Sequence, residues 1–243
     1  MRSARHFGCS VIGPGNLKRQ NPCQDAWGSR SWKTSEGETI SAIAIADGMG
    51  SKPHAHVGAK AAVSVALQAA RRWGENTYLN SGWLTRWIEA EWRYAIDARN
   101  PRDCCTTCLL AVHAPRKGII MGGLGDGLAL FTDNKKIQLA LSGRREDDFG
   151  NQSLALGAPH RASDWQFEEI IDLPDQWMVI LATDGVSDDL QPSKMHEFTA
   201  WLESLKTLKQ PGAALRRSFR NWPTKGHTDD KTIATLFKNS NHE

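Results

Sequence analysis

Residues Ser41 to Ser51 read SAIAIADGMGS. Ala42 to Ala46 are all small or apolar and run straight into Asp47-Gly48. A short apolar run bounded by a glycine-rich turn predicts a buried strand. A carboxylate at the end of such a strand is held rigidly at the rim of the core. Gly48 leaves the backbone uncrowded, so its carbonyl is free to face a ligand. A similar pattern recurs where Trp177 to Thr183 ends in Asp184-Gly185, and Asp229-Asp230 stands just ahead of Thr232 to Phe237. Asp25 and Asp126 also lie at the edges of expected strands, with Asp188, Asp189 and Asp230 close behind the set. A lone Asp-Gly is an ordinary turn signal. Several acids at one end of a sheet repel one another unless cations neutralise them. With oxygen ligands alone and no histidine among them, hard cations such as Mg²⁺ or Mn²⁺ are preferred to zinc.

The bulk properties narrow the class. The chain has 243 residues, 40% hydrophobic and 23% charged, a composition expected of a soluble globular protein. We expect a single domain over residues 1–243, since neither an internal repeat nor a low-complexity linker divides it. The formal net charge of +3 is spread thinly and does not point to nucleic acid. No apolar run approaches the roughly 20 residues of a membrane span, and Met1 to Ser10 lacks the apolar core of a secretory signal. Five cysteines, three of them crowded at Cys104, Cys105 and Cys108, make a poor disulfide framework and point to a reducing compartment, the cytoplasm. They read as small buried hydrophobes on a strand.

Along the chain, strands are expected at Cys9 to Ile12, Trp27 to Trp32 and Ala42 to Ala46, with a polar segment from Asn16 to Gln24. Helices are expected at Val57 to Trp73 and, capped by Asn80-Ser81, at Trp83 to Ala98. Trp83, Trp87, Ile88, Trp92 and Ile96 form an apolar stripe on the second, and their helical spacing favours packing over a stacking platform for bases or sugars. Thr106 to His113, Lys117 to Leu124, Leu128 to Thr132 and Ile137 to Leu141 read as an antiparallel meander. Gly143 to His160 reads as a polar loop. Phe167 to Leu173 and Trp177 to Thr183 are two more strands, Pro192 to Leu208 and Gly212 to Phe219 two more helices, and Thr232 to Phe237 a last strand. Strands in runs and helices in pairs indicate α+β. Other catalytic signatures are missing: there is no G-x-S-x-G elbow, no G-x-x-x-x-G-K-[ST] loop and no Cys-x5-Arg loop.

The order of these motifs resembles the metal-dependent serine/threonine protein phosphatases of the PPM, or type-2C, family, most closely its compact bacterial subgroup. The matching pieces are Pro22-Cys23-Gln24-Asp25-Ala26, Ala46-Asp47-Gly48-Met49-Gly50-Ser51, Gly125-Asp126-Gly127, Ala182-Thr183-Asp184-Gly185-Val186-Ser187-Asp188 and Asp229-Asp230-Lys231-Thr232. The resemblance runs from about Cys9 to Phe237. It implies a four-layer α-β-β-α sandwich with two central antiparallel sheets and a binuclear Mg²⁺/Mn²⁺ centre at one end. By the same resemblance Asp47 bridges two ions, Asp184 and Asp229 complete one shell, and the Gly48 carbonyl serves the other. Asp25, Asp126 and Asp188 fall where the family places outer acids or ligands of a weaker third ion. Thr106-Thr107 matches a structural stretch.

Departures from the family pattern are Gln24, where some relatives carry Glu, and Met49, where the animal enzymes carry a histidine. The identity of the proton donor is therefore open, with His54 and His56 nearby. Arg19, one residue further from Asp25 than in the family pattern, and Lys18 are the candidates to grip phosphate. The implied activity is hydrolysis of phosphoserine and phosphothreonine on proteins, the partner being a phosphorylated protein such as a kinase or its target. A catalytically silent phosphoprotein-binding module and a hydrolase of small phosphoesters are the alternatives on the same fold.

Overall fold

The computed structural model describes residues 3–133, 136–142, 154–222 and 226–239. Among these described residues ten strands form two five-stranded sheets in which every neighbouring pair is antiparallel. In chain order the strands are β1 (Arg5–Val11), β2 (Ala26–Lys33), β3 (Thr39–Ala46), β4 (Cys108–Ala114), β5 (Gly118–Leu124), β6 (Leu128–Thr132), β7 (Ile137–Ser142), β8 (Gln166–Ile170), β9 (Trp177–Ala182) and β10 (Lys231–Lys238). One sheet runs β2-β3-β4-β5-β8 and the other β1-β10-β9-β6-β7. The helices are α1 (Pro14–Arg19), α2 (Ala55–Glu75), α3 (Ser81–Ala95), α4 (Asp184–Ser187), α5 (Met195–Leu205) and α6 (Pro211–Arg220).

Side-chain alternation assigns the layers. Along β3 and β4, Ala42, Ala44, Leu110 and Val112 face α2 and α3, joining Ala62, Ala66, Leu84, Ile88 and Trp92 in one core. The residues between them, Ile43, Ile45, Leu109 and Ala111, face the other sheet and meet Val179, Leu181, Ala234 and Leu236. On the far side of that sheet Ile180, Ile233 and Phe237 pack against Phe198, Leu202, Leu215 and Phe219 of α5 and α6. The result is helix, sheet, sheet, helix. A strand covered on both faces has no polar side to show, which is why Ala42 to Ala46 reads as an unbroken apolar run rather than an alternating one.

Asn80 caps α3 as expected, its side chain accepting from the Trp83 amide at 3.0 Å. Trp92 and Ile88 are buried, while Trp83 and Trp87 stack on each other at 5.7 Å at the margin of the core. The tryptophan stripe is packing, not a ligand platform.

Two expectations need correction. The supposed meander from Thr106 to Leu141 is two hairpins in different sheets: β4 pairs β5, β6 pairs β7, and β5 does not pair β6. The chain changes sheets at Gly125-Asp126-Gly127, where Gly125 and Gly127 have φ of 114° and 144°, a region that favours glycine. The two strands on either side of Pro174-Asp175 form as expected and lie in different sheets, β8 beside β5 and β9 between β10 and β6. The polar segment Asn16 to Gln24 begins inside a short helix, α1, with Pro14 at its first turn, where a missing N–H costs nothing. Of the loop Gly143 to His160, residues 143–153 lie outside the described residues, and Leu156 forms an isolated bridge with Thr106.

Trp92 is the largest single anchor of α3, fully buried and donating from its indole nitrogen to the Gly58 carbonyl of α2 at 3.0 Å. Trp92→Ala is expected to cost about 3–5 kcal/mol of stability, read as a lowered urea midpoint with an unchanged native circular-dichroism spectrum.

Candidate metal centre

Antiparallel register gathers the acids at one end of the sandwich. Ala26 pairs Ala46, so Asp25, just before β2, stands beside Asp47, just after β3. Ala182 pairs both Ile233 and Leu128, which puts Asp184 after β9, Asp229 before β10 and Asp126 before β6 on the same edge of the other sheet. The sheet change at Gly125 to Gly127 joins the two edges at this end.

The backbone of Asp47 is clamped before its side chain does anything. Its amide donates to the Thr107 hydroxyl at 2.8 Å, and its carbonyl accepts from the Thr106 hydroxyl and the Thr107 amide, each at 2.8 Å. The structural role expected of Thr106-Thr107 is thereby explained. At Gly48 the chain runs against two others. Its amide donates to the Gln24 carbonyl at 3.2 Å, and a methyl group there would lie 2.7 Å from that oxygen and 2.8 Å from the Ala55 carbonyl. No side chain fits.

The carboxylates behave as one cluster. Burial raises the pKa of Asp47 well above the ordinary range, and Asp25, Asp184 and Asp229 add to the rise, Asp184 also by a direct carboxyl–carboxyl hydrogen bond. Burial pushes Asp25 up to about 8, with Asp230 next in effect, against hydrogen bonds from Thr232 and Thr183 that favour its anion. The Thr183 bond is 2.9 Å. Asp229 is raised by burial and then by Asp184. Asp184 opens α4 and accepts the Gly185 amide at 2.6 Å. Two carboxyls in hydrogen-bond contact must share a proton or a cation. Among the described residues no three acidic, histidine or cysteine side chains already close around a single ion position. The donor set is nonetheless all oxygen, crowded and short of positive charge, and it fits a hard divalent ion.

The other expected residues are placed as follows. Asp126 is half-buried on the sheet change, and Asp188 is exposed at the end of α4, its amide bonded to the Asp184 carbonyl. Lys18 and Arg19 are exposed on α1. Arg19 donates to the Asn16 side-chain oxygen at 3.2 Å, and Asn16 in turn donates to Gln24 and Asp230. Gln24 is thus occupied by a direct protein bond. His54 is exposed and His56 half-buried at the start of α2, where burial and then Lys60, His54 and Arg99 lower the His56 pKa.

Two residues stand out to which the sequence assigned no role. Asp230 is buried and accepts from the Gly13 amide at 2.6 Å, the Gln24 amide at 2.6 Å and Asn16 at 3.0 Å. It pins the connection between β1 and β2 onto β10, whereas its neighbour Asp229 keeps surface open to water and feels the charge of Asp184. Lys231 is 5% exposed. Burial lowers its pKa, and Asp189, Asp229, Asp230 and Asp25 work against that fall. The adjacent acids of Asp229-Asp230 were the only signal, since successive residues entering a strand face opposite ways.

The family model described as Protein phosphatase 2C matches residues 12–221. The chain belongs to the protein phosphatase 2C family. Among solved structures, PppA, a regulatory component of T6SS in Pseudomonas aeruginosa, is 16% identical with a TM-score of 0.63, covering 97% of each chain. The S. agalactiae serine/threonine phosphatase is 14% identical with a TM-score of 0.62, over 97% of this chain and 100% of its own. The catalytic domain of the phosphatase PstP, in complex with two manganese ions, is 14% identical with a TM-score of 0.58, over 98% and 99%. These likenesses concern the fold. No protein with a curated description matches the sequence. Among the described residues of this protein phosphatase 2C member no helix is long and apolar enough to cross a membrane.

The raised acids set a pH dependence for the metal-free protein. The folded state holds protons on Asp25 and Asp47 that the unfolded chain releases above its ordinary pKa, so folding is favoured below that value and loses stability as pH rises. In EDTA, urea stability is expected to fall between about pH 4 and pH 8, by on the order of 1 kcal/mol per pH unit for each such proton. Saturating Mn²⁺ should flatten the profile. A metal-free profile that rises over this window would contradict it.

Proposed function

We propose that this protein phosphatase 2C member hydrolyses phosphoserine and phosphothreonine on proteins, using two Mg²⁺ or Mn²⁺ ions at the acidic end of the sandwich. The observation that carries the reading is the convergence of Asp25, Asp47, Asp184 and Asp229, from four different strand ends, into one mutually repelling cluster. Asp47 would bridge the ions, Asp184 and Asp229 would complete one shell, and the Gly48 carbonyl would face the other. Asp25, Asp126 and Asp188 would serve a weaker third ion. Bound ions would supply an activated water and neutralise the phosphate charge.

The chain's own groups do the rest. Thr106 and Thr107 fix the Asp47 backbone, so its carboxylate needs little reorganisation on binding. Asp230 and Asn16 hold the segment carrying Lys18 and Arg19, the proposed grip on the phosphate dianion. His54 or His56, or a water, would protonate the leaving hydroxyl. We read the chain as one domain. Its five unpaired cysteines favour the cytoplasm. The partner class is a phosphorylated protein, a serine/threonine kinase or its target.

Phosphate release from a phosphothreonine peptide is expected with Mn²⁺, to be abolished by EDTA, and to fall by about two orders of magnitude in Asp47→Asn. Equal release in all three would sink the enzymatic reading. Turnover of small phosphoesters without phosphopeptides would move the substrate class, and phosphopeptide binding without turnover would make the protein a binding module.

A further inference from the structure

Lys231 sits where a lysine is expensive. It is 5% exposed and shares its strand face with Ile233 and Phe237, whose neighbours are the apolar residues of α5 and α6. Lysine is almost never buried to this extent unless its charge is matched. An aliphatic side chain would fill the same space without that cost. The amine donates to the Asp229 carbonyl at 3.3 Å, and the charges of Asp189, Asp229, Asp230 and Asp25 favour its protonated form against burial. Asp189 is itself shared, holding the His227 ring at 3.1 Å and the Trp222 indole. The face of β10 that carries Lys231 is therefore the one turned to α5 and α6, opposite the face that meets β3.

We propose that Lys231 is a built-in counter-cation, which holds the metal-free acidic cluster together and lowers the site's affinity for divalent ions. The inference rests on the reading of that cluster as a divalent-cation site. A fixed positive charge on the residue that follows Asp230, hydrogen-bonded to the Asp229 backbone, attracts the neighbouring carboxylates whether or not an ion is bound. The same charge repels an incoming Mn²⁺ or Mg²⁺. Lys231 thus trades tightness of metal binding for a site that stays assembled between binding events. It touches no substrate in this account and acts through the carboxylates, as a positioning residue.

The test uses the full chain and needs no turnover. Mn²⁺ affinity is measured by isothermal titration calorimetry, and thermal unfolding is followed in EDTA, for wild type, Lys231→Met and Lys231→Arg. Lys231→Met should bind Mn²⁺ on the order of tenfold more tightly, as expected for removing one unit charge near a divalent ion. Its metal-free Tm should fall by several degrees, roughly the effect of 1 kcal/mol or more. Lys231→Arg, which keeps the charge, should stay near wild type in both. A Lys231→Met protein that folds only once Mn²⁺ is added also supports the proposal. Folded Lys231→Met with wild-type or weaker Mn²⁺ affinity overturns it, because lost packing does not tighten metal binding. Failure of both variants to fold with Mn²⁺ present overturns it too, since the residue then serves shape rather than charge. Wild type that binds no Mn²⁺ defeats the site reading itself, a result separate from either variant outcome.

Discussion

Repulsion between carboxylates is the constraint around which this end of the molecule is built. Antiparallel pairing leaves no freedom about it: once Ala26 lies opposite Ala46, and Ala182 opposite both Ile233 and Leu128, the acids flanking those strands share one rim. Burial then removes the water that would have screened them. Asp47 holds its proton well above the usual carboxylate range, and Asp25 is pushed up to about 8. Such a group is unstable as a set of bare anions and is satisfied by protons, by Lys231, or by divalent ions.

The sandwich resists this repulsion with backbone hydrogen bonds rather than with a rigid cage of side chains. Thr106 and Thr107 from the start of β4 hold both polar groups of the Asp47 peptide. Gly48 lies so close to Gln24 and Ala55 that the turn has little room to relax. On the opposite sheet Asp230 gathers three N–H donors from the chain between β1 and β2. Each clamp joins segments far apart in sequence, so the rim is positioned by the whole fold. A mutation in any of the joined segments should reach the same carboxylates.

Much of this was legible in the sequence, for identifiable reasons. Apolar runs ending in Asp-Gly marked β3 and β9 because strands covered on both faces are uniformly apolar and must stop at a turn. Asn80 marked the start of α3 because a side-chain cap is a local device. The sheet change at Gly125 to Gly127 was not legible, because a glycine turn between two strands looks the same whether they pair or part. Helix α1 escaped notice because six residues carry too little periodicity. The division of labour between Asp229 and Asp230, and the burial of Lys231, depend on how β10 packs against β1 and α6, which the order of residues does not reveal. The roles assigned to individual acids came from family resemblance, and the geometry adds the reason they lie together.

The proposed function requires that the strand-end acids hold two cations. The most direct measurement is anomalous diffraction at the manganese edge from crystals of the full chain grown with Mn²⁺. Two peaks are expected among the Asp47, Asp184 and Asp229 carboxylates, one within reach of the Gly48 carbonyl, with the Asp47–Asp184 carboxyl contact opened by the ions. Manganese absent from this rim, with that contact intact, would contradict it.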